Sequence, residues 1–259
     1  MTGEESWRVG QEPMPKRLLI LGGTGEAAGL AKRAVETFGE SLDVISSLAG
    51  RVKSPRALPG RVRVGGFGGI EGLARYIESE KIDMVVDATH PFATTMSAHA
   101  RHACGQTATP RLILVRPHWP EVDAVEVSDL AAAARELVKL GQRAFLSFGQ
   151  GGLEAFADLS DRAFVVRLID EPTTPLPIPH ATVIIGRPPF SLAGEKALFE
   201  DHGIDVLVSK NSGGATLPAK ITAARELAIP IVLIARPPTE PGEHVGNIEA
   251  ALGWISSKA

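Results

Sequence analysis

The sequence predicts an α/β protein made of two doubly wound, parallel-sheet halves with a cleft between them. Three observations carry this. Apolar runs of strand length alternate with helical stretches along the chain, the pattern of buried parallel strands covered by helices on both faces. A glycine turn follows the first run, in Arg17-Leu18-Leu19-Ile20-Leu21-Gly22-Gly23-Thr24-Gly25-Glu26-Ala27-Ala28. Strand-like runs at 17–21, 42–47, 61–64, 83–87, 111–115, 143–148, 163–168, 182–185, 205–208 and 230–234 are many for one sheet, and a turn-rich stretch at 121–128 divides them. The predicted division is an extension over 1–15, one unit over 16–127 and a second over 128–259.

Residues 1–15 are polar and acidic, without the basic start and apolar core of a signal peptide, and read as a flexible extension. The first strand then runs into Gly23-x-Gly25-x-x-Ala28, a relaxed dinucleotide fingerprint. Such glycines let backbone N–H groups approach a pyrophosphate at a helix N-terminus, although a tight strand-to-helix turn alone also needs them. Gly22, Gly23, Thr24, Gly25 and Glu26 are therefore candidate cofactor residues. The next strand ends at Ser46-Ser47 without a carboxylate, and Arg51 follows. An NAD site expects an acid there, so Ser47 and Arg51 favour the 2′-phosphate of NADP(H). Gly65-Gly66-Phe67-Gly68-Gly69, after the third strand, is a turn or a loop able to close on the cofactor, with Gly66 at its centre. The fourth strand ends in Asp87-Ala88-Thr89-His90-Pro91, which sets Thr89 and His90 beside the crevice and near the start of a helix. Imidazole titrates near neutral pH, so His90 is a candidate catalytic group as well as an ordinary hydrogen-bonded histidine.

The second unit lacks a glycine fingerprint of the first kind. Its notable segment is Lys210-Asn211-Ser212-Gly213-Gly214, a strand end running into glycines. It predicts an anion nest, with Lys210 catalytic and Asn211, Ser212 and Gly213 facing the cofactor. Three strand ends carry Arg-Pro: Arg116-Pro117, Arg187-Pro188 and Arg236-Pro237. Arginine forks match carboxylates, so Arg116, Arg187 and Arg236 read either as a lining for a polycarboxylate substrate or cofactor phosphates, or as plain strand caps.

Other function classes are weakened by composition and by missing motifs. With 27 Lys and Arg against 30 Asp and Glu, the chain is not a general nucleic-acid or anionic-membrane binder. One cysteine, Cys104, rules out an internal disulfide framework and a cysteine-based zinc site, and seven scattered histidines make a structural metal unexpected. Cys104 reads as a packed apolar residue. Glu80 stands four residues after Tyr76, where a short-chain dehydrogenase has lysine. The Ser elbow, metalloprotease helix and P-loop order are also missing. No apolar run approaches the roughly twenty residues of a membrane helix, and a cytoplasmic protein is expected.

Taken together, the blocks from Gly22 to Ala27, Ser47 to Arg51, Val64 to Gly69, Asp87 to Ala93, Lys210 to Gly214 and Arg236-Pro237 resemble the precorrin-6A reductase family of cobalamin (vitamin B12) biosynthesis, and the likeness extends from Lys16 onward. One departure is Arg187-Pro188-Pro189-Phe190, where the family tends to carry a glycine. The resemblance implies two Rossmann-like domains that can exchange a strand, NADPH as cofactor, and reduction of the C18–C19 double bond of precorrin-6A to give precorrin-6B. It implies a tetrapyrrole partner edged with carboxylates and no nucleic-acid or membrane partner. A monomer or weak homo-oligomer is expected. Trp7, Trp119, Trp254 and a few Phe are the aromatic groups available to stack on the ring. The cobalt-containing version of the same reaction and a non-catalytic NADP(H) sensor are the alternatives.

Overall fold

The computed structural model describes residues 14–50, 57–214 and 216–259. They form two parallel six-stranded sheets. The first half contains β1 (Lys16–Leu21), α1 (Gly25–Phe38), β2 (Leu42–Leu48), β3 (Arg61–Val64), α2 (Gly69–Ser79), β4 (Met84–Asp87), α3 (Thr94–Gln106) and β5 (Arg111–Leu114). The second contains β6 (Val125–Val127), α4 (Leu130–Leu140), β7 (Arg143–Leu146), a short 3-10 helix (Leu153–Phe156), β8 (Ala163–Leu168), β9 (Ala181–Ile185), α5 (Leu192–Asp201), β10 (Val206–Lys210), α6 (Ala219–Glu226) and β11 (Ile231–Ile234). The chain then returns to the first sheet as β12 (Glu243–Val245) and α7 (Ile248–Ser256).

Strand order is β12-β5-β4-β1-β2-β3 in one sheet and β6-β11-β10-β7-β8-β9 in the other. The two orders coincide when β1 to β5 are matched with β7 to β11 and β12 with β6. Each sheet takes one edge strand through a crossover: β6 follows the β5 crossover and pairs with β11, while β12 follows the β11 crossover and pairs with β5. Sheet membership therefore does not divide at 127/128. Residues 125–127 lie in the second sheet and 243–256 with the first.

Continuous apolar strands explain the layering. Leu18 and Ile20 face α1 and α7, while Leu19 and Leu21 face α2 and α3, so the first sheet is buried on both sides. In the second half, α4 and the 3-10 helix cover one face, and α5 and α6 the other. Helix starts follow local capping chemistry: Thr24, Asp129, Ser191 and Asn247 accept backbone N–H bonds at the starts of α1, α4, α5 and α7. Cys104 is buried in α3, and burial pushes its thiol up to about 12, the behaviour of an inert packing residue. No described helix is long and apolar enough to cross a membrane.

Candidate active site between the two halves

In each sheet the strand order reverses at one point, between β1 and β4 in the first and between β7 and β10 in the second. The crevice beyond the carboxyl ends at such a point is where open α/β sheets bind ligands. At the first, the Gly22 N–H donates to the Ser47 carbonyl at 2.9 Å and holds the turn against β2. Gly23 has φ 106°, which a side chain would strain. Thr24 caps α1 by accepting from the Ala27 N–H at 3.0 Å, and its hydroxyl donates to the Ala88 carbonyl at 2.8 Å. This ties the turn to the loop after β4. Gly25 begins α1, and a Cβ added at Gly23 or Gly25 would meet nothing within 4 Å. An open glycine turn at the N-terminus of a 14-residue helix fits a dinucleotide pyrophosphate. Glu26 adds a negative charge to this turn, and Arg116 pairs with it at 2.7 Å.

At the ends of β2 and β3, Arg63 supplies a cation that the sequence reading left inside a strand. Its guanidinium donates to Ser47 Oγ at 3.1 Å and to the Gly65 and Gly66 carbonyls at 2.8 and 3.1 Å. It also lies 3.7 Å from the centre of the Phe67 ring. The glycine loop at 65–68 is thus braced by Arg63. Arg51 lies outside the described residues.

The two halves meet at His90. Its Nδ1 accepts from the Phe92 N–H at 3.3 Å, which leaves the proton on Nε2 to donate to Ser212 Oγ at 3.0 Å. Burial, and then the charges of Arg116, Lys210, Lys220 and Arg236, lower the His90 pKa to about 4. At neutral pH His90 is therefore an uncharged donor. Thr89 turns back to Asp87, with its hydroxyl 2.8 Å from Oδ1. Helix α3 starts at Thr94, so Pro91 lies in the turn before it, and Thr89 and His90 stand farther from the helix start than predicted.

Lys210 ends β10, with its ammonium 5.2 Å from the Phe92 ring centre and 5.5 Å from that of Phe148. The predicted nest after it is not open. The N–H groups of Asn211, Ser212 and Gly214 already donate to the Ile234, Lys210 and Pro117 carbonyls. Helix α6 begins only at Ala219, because Pro218 sets its start. Gly213 has φ 66° and packs so closely that a Cβ there would collide with the Arg236 guanidinium and the Pro117 carbonyl. The glycine serves close packing of the crossovers.

Arg236 donates to the Arg116 carbonyl at 2.7 Å and helps line a small cleft with Thr89, His90 and Ser97. Burial, with Arg116 nearby, lowers its pKa. The third arginine is not brought to this place. Arg187 follows β9, three strands from β10 and roughly 14 Å away by strand spacing, and pairs with Asp170 at 2.9 Å. Trp119 is buried in the second core, and Trp254 is buried while donating to Glu243 at 2.8 Å, so neither stands ready to stack on a ring. Trp7 lies outside the described residues.

A family model described as Precorrin-6x reductase CbiJ/CobK matches residues 17–256. The chain belongs to the precorrin-6x reductase family. A precorrin-6A reductase of Rhodococcus erythropolis is 46% identical over 245 residues, covering 93% of this chain and 98% of that one. A cobalt-precorrin-6A reductase of Priestia megaterium is 27% identical over 244 residues, covering 90% and 95%. A solved structure titled CobK precorrin-6A reductase superposes with a TM-score of 0.88 at 39% identity, over 94% of this chain and 97% of that one. In the present chain Arg116 links the glycine turn, through Glu26, to Arg236, and His90 joins the two halves through Ser212.

Proposed function

We propose that the protein reduces precorrin-6A to precorrin-6B with NADPH in cobalamin biosynthesis, in the cleft between its two sheets. The observation that carries the choice of substrate is the grading of its relatives. Those named precorrin-6A reductase are 38–46% identical over 93% of the chain, whereas those named cobalt-precorrin-6A reductase are 27–30% identical. That grading favours the metal-free macrocycle over the cobalt-containing one.

In this reading Gly22 to Glu26 and Thr89 receive the pyrophosphate side of NADPH, while Ser47, Gly66 and Arg63, with Arg51, receive the adenosine phosphate. When bound, NADPH supplies a hydride. The chain's own task is to hold a carboxylate-edged ring against it and keep water out. Arg116 and Arg236 offer forks for substrate carboxylates, a role the position of Arg187 supports less. His90 and Ser212 orient the ring edge, with Lys210, Asn211 and Gly213 on the opposite wall. Because one chain supplies both walls, the reading needs no second copy, and the enzyme is a cytoplasmic monomer or weak homo-oligomer.

The test is to incubate the protein with precorrin-6A and either NADPH or NADH, following cofactor oxidation and product mass. A product heavier by two hydrogens, formed faster with NADPH, is the expected result. Turnover of only the cobalt-containing macrocycle would overturn the substrate assignment, and NADPH binding without turnover of either would overturn the reductase reading in favour of a sensor.

A further inference from the structure

Reduction of a carbon–carbon double bond takes up a proton as well as a hydride, and His90, held neutral, is a poor source of it at neutral pH. The second reversal point holds another group. Lys220 sits in the first turn of α6, and its ammonium donates to Ser147 Oγ at 2.8 Å. Ser147 is the residue that follows β7, so the pair stands in the crevice between β7 and β10. The Lys220 charge is also among those that lower the His90 pKa.

The surroundings of this lysine differ from those of a structural one. A buried ammonium ordinarily gains a carboxylate, yet among the described residues Lys220 bonds a neutral hydroxyl. The carboxylate near it, Glu195 on α5, is committed to Arg167 of β8 through two bonds of 2.7 and 2.5 Å. The charged and titratable groups that act on Lys220 are thus Arg167 and the paired Glu195, and Lys220 in turn acts on His90. The residue retains some solvent exposure, while protein closely surrounds its ammonium end. Burial, and then the Arg167 charge, push its pKa down to about 8, near the value suited to proton transfer at neutral pH.

We propose that Lys220, hydrogen-bonded to Ser147, supplies the proton that completes reduction of the macrocycle. The proposal rests on the reductase reading above. Hydride from the dihydronicotinamide forms a new C–H bond at one carbon of the double bond. The displaced π pair then takes a proton from the Lys220 ammonium, directly or through the Ser147 hydroxyl. The neutral amine that remains is reprotonated by water, and the oxidised nicotinamide leaves.

The experiment compares wild type, Lys220→Arg and Lys220→Met with NADPH and precorrin-6A from about pH 6 to pH 10. Both variants should lose roughly 100-fold or more in kcat while binding NADPH within about threefold of wild type. The wild-type kcat/KM should fall above about pH 8, and that limb should vanish in the variants. A readout independent of turnover is NMR of protein carrying 13C at the lysine ε carbon: the resonance lost in Lys220→Arg should titrate near 8. Arginine keeps the charge but holds its proton, so near-normal kcat in Lys220→Arg would overturn the proposal and make Lys220 a carboxylate anchor. A Lys220 resonance titrating at the ordinary 10.5 would overturn it as well. Wild type that leaves precorrin-6A unreduced would defeat the reductase reading and the proposal together, whereas an active wild type with an active Lys220→Arg defeats the proposal alone.

Discussion

The two halves share one strand order yet end their equivalent strands in different chemistry. After β1 the chain makes an open glycine turn into the 14 residues of α1. After β7, its counterpart, Ser147 stands where Gly22 does, and the following glycines lead only into the four-residue 3-10 helix. So short a helix offers little aligned dipole to a phosphate. At the next pair of equivalent strands, β4 ends in Asp87 and β10 in Lys210. Thus the first half presents backbone donors and a helix terminus, while the second presents ammonium groups and hydroxyls. In the function proposed above, the same architecture, used twice, separates holding an anionic cofactor from handling the substrate.

That contrast can be tested by paired substitutions, one in each half. The largest effect should come from the second half's buried pair. Glu195→Ala leaves Arg167 uncompensated in the core and should cost about 3–5 kcal/mol in urea unfolding. Glu26→Ala, which breaks the more exposed pair to Arg116, should cost under about 1 kcal/mol. Equal losses would mean the halves do not differ in how they bury charge. Next is Gly23→Val, which strains φ 106° and fills the turn. It should weaken NADPH binding roughly 100-fold, or about 3 kcal/mol, by nicotinamide fluorescence. Gly151→Ala, in the corresponding turn of the second half, should change binding less than about twofold, since a Cβ there meets nothing within 4 Å and no such strain arises. Normal binding by Gly23→Val would remove the cofactor from the first half.

The smallest effect concerns the contact joining the halves. The folded-state pKa of His90, about 4, lies below its ordinary 6.5, so the unfolded chain binds more protons between those values. Stability from this group is full above pH 6.5 and is lost as pH falls toward 4. At pH 5 the loss should be about 2 kcal/mol, and His90→Gln should remove that part of the pH dependence. An unchanged slope of unfolding free energy against pH would show that His90 is solvated and the halves are not latched there.

Much of the fold was legible because core parallel strands are uninterrupted apolar runs. β1, β2, β4, β7 and β11 fall within one or two residues of their predicted places. The missed strands are β6, Val125-Glu126-Val127, and β12, Glu243-His244-Val245, which lie at sheet edges and are largely exposed. Three residues with one charged side chain facing water carry no pattern that separates them from a loop. In the candidate site, the glycine turn announces itself because it breaks a strand with a rare residue run. Lys220 does not, since a lysine in a helix is the commonest of surface features, and only the depth of α6 gives it meaning. Arg63 and Ser147 were hidden for a related reason, both lying inside segments read as strand. Gly213 is ambiguous for another reason, because glycine needed for close packing looks the same as glycine needed for a ligand.

The reciprocal exchange of edge strands also governs the order of assembly. During synthesis, β1 to β5 emerge before any residue of the second sheet, but the strand that covers the open side of β5 and the helix that packs on α1 emerge after β11. The half made first is therefore finished last, with an exposed β5 edge in the interval. A chain stopped after β11 would damage the first sheet, more than a hundred residues upstream of the break, and leave every strand of the second sheet in hand.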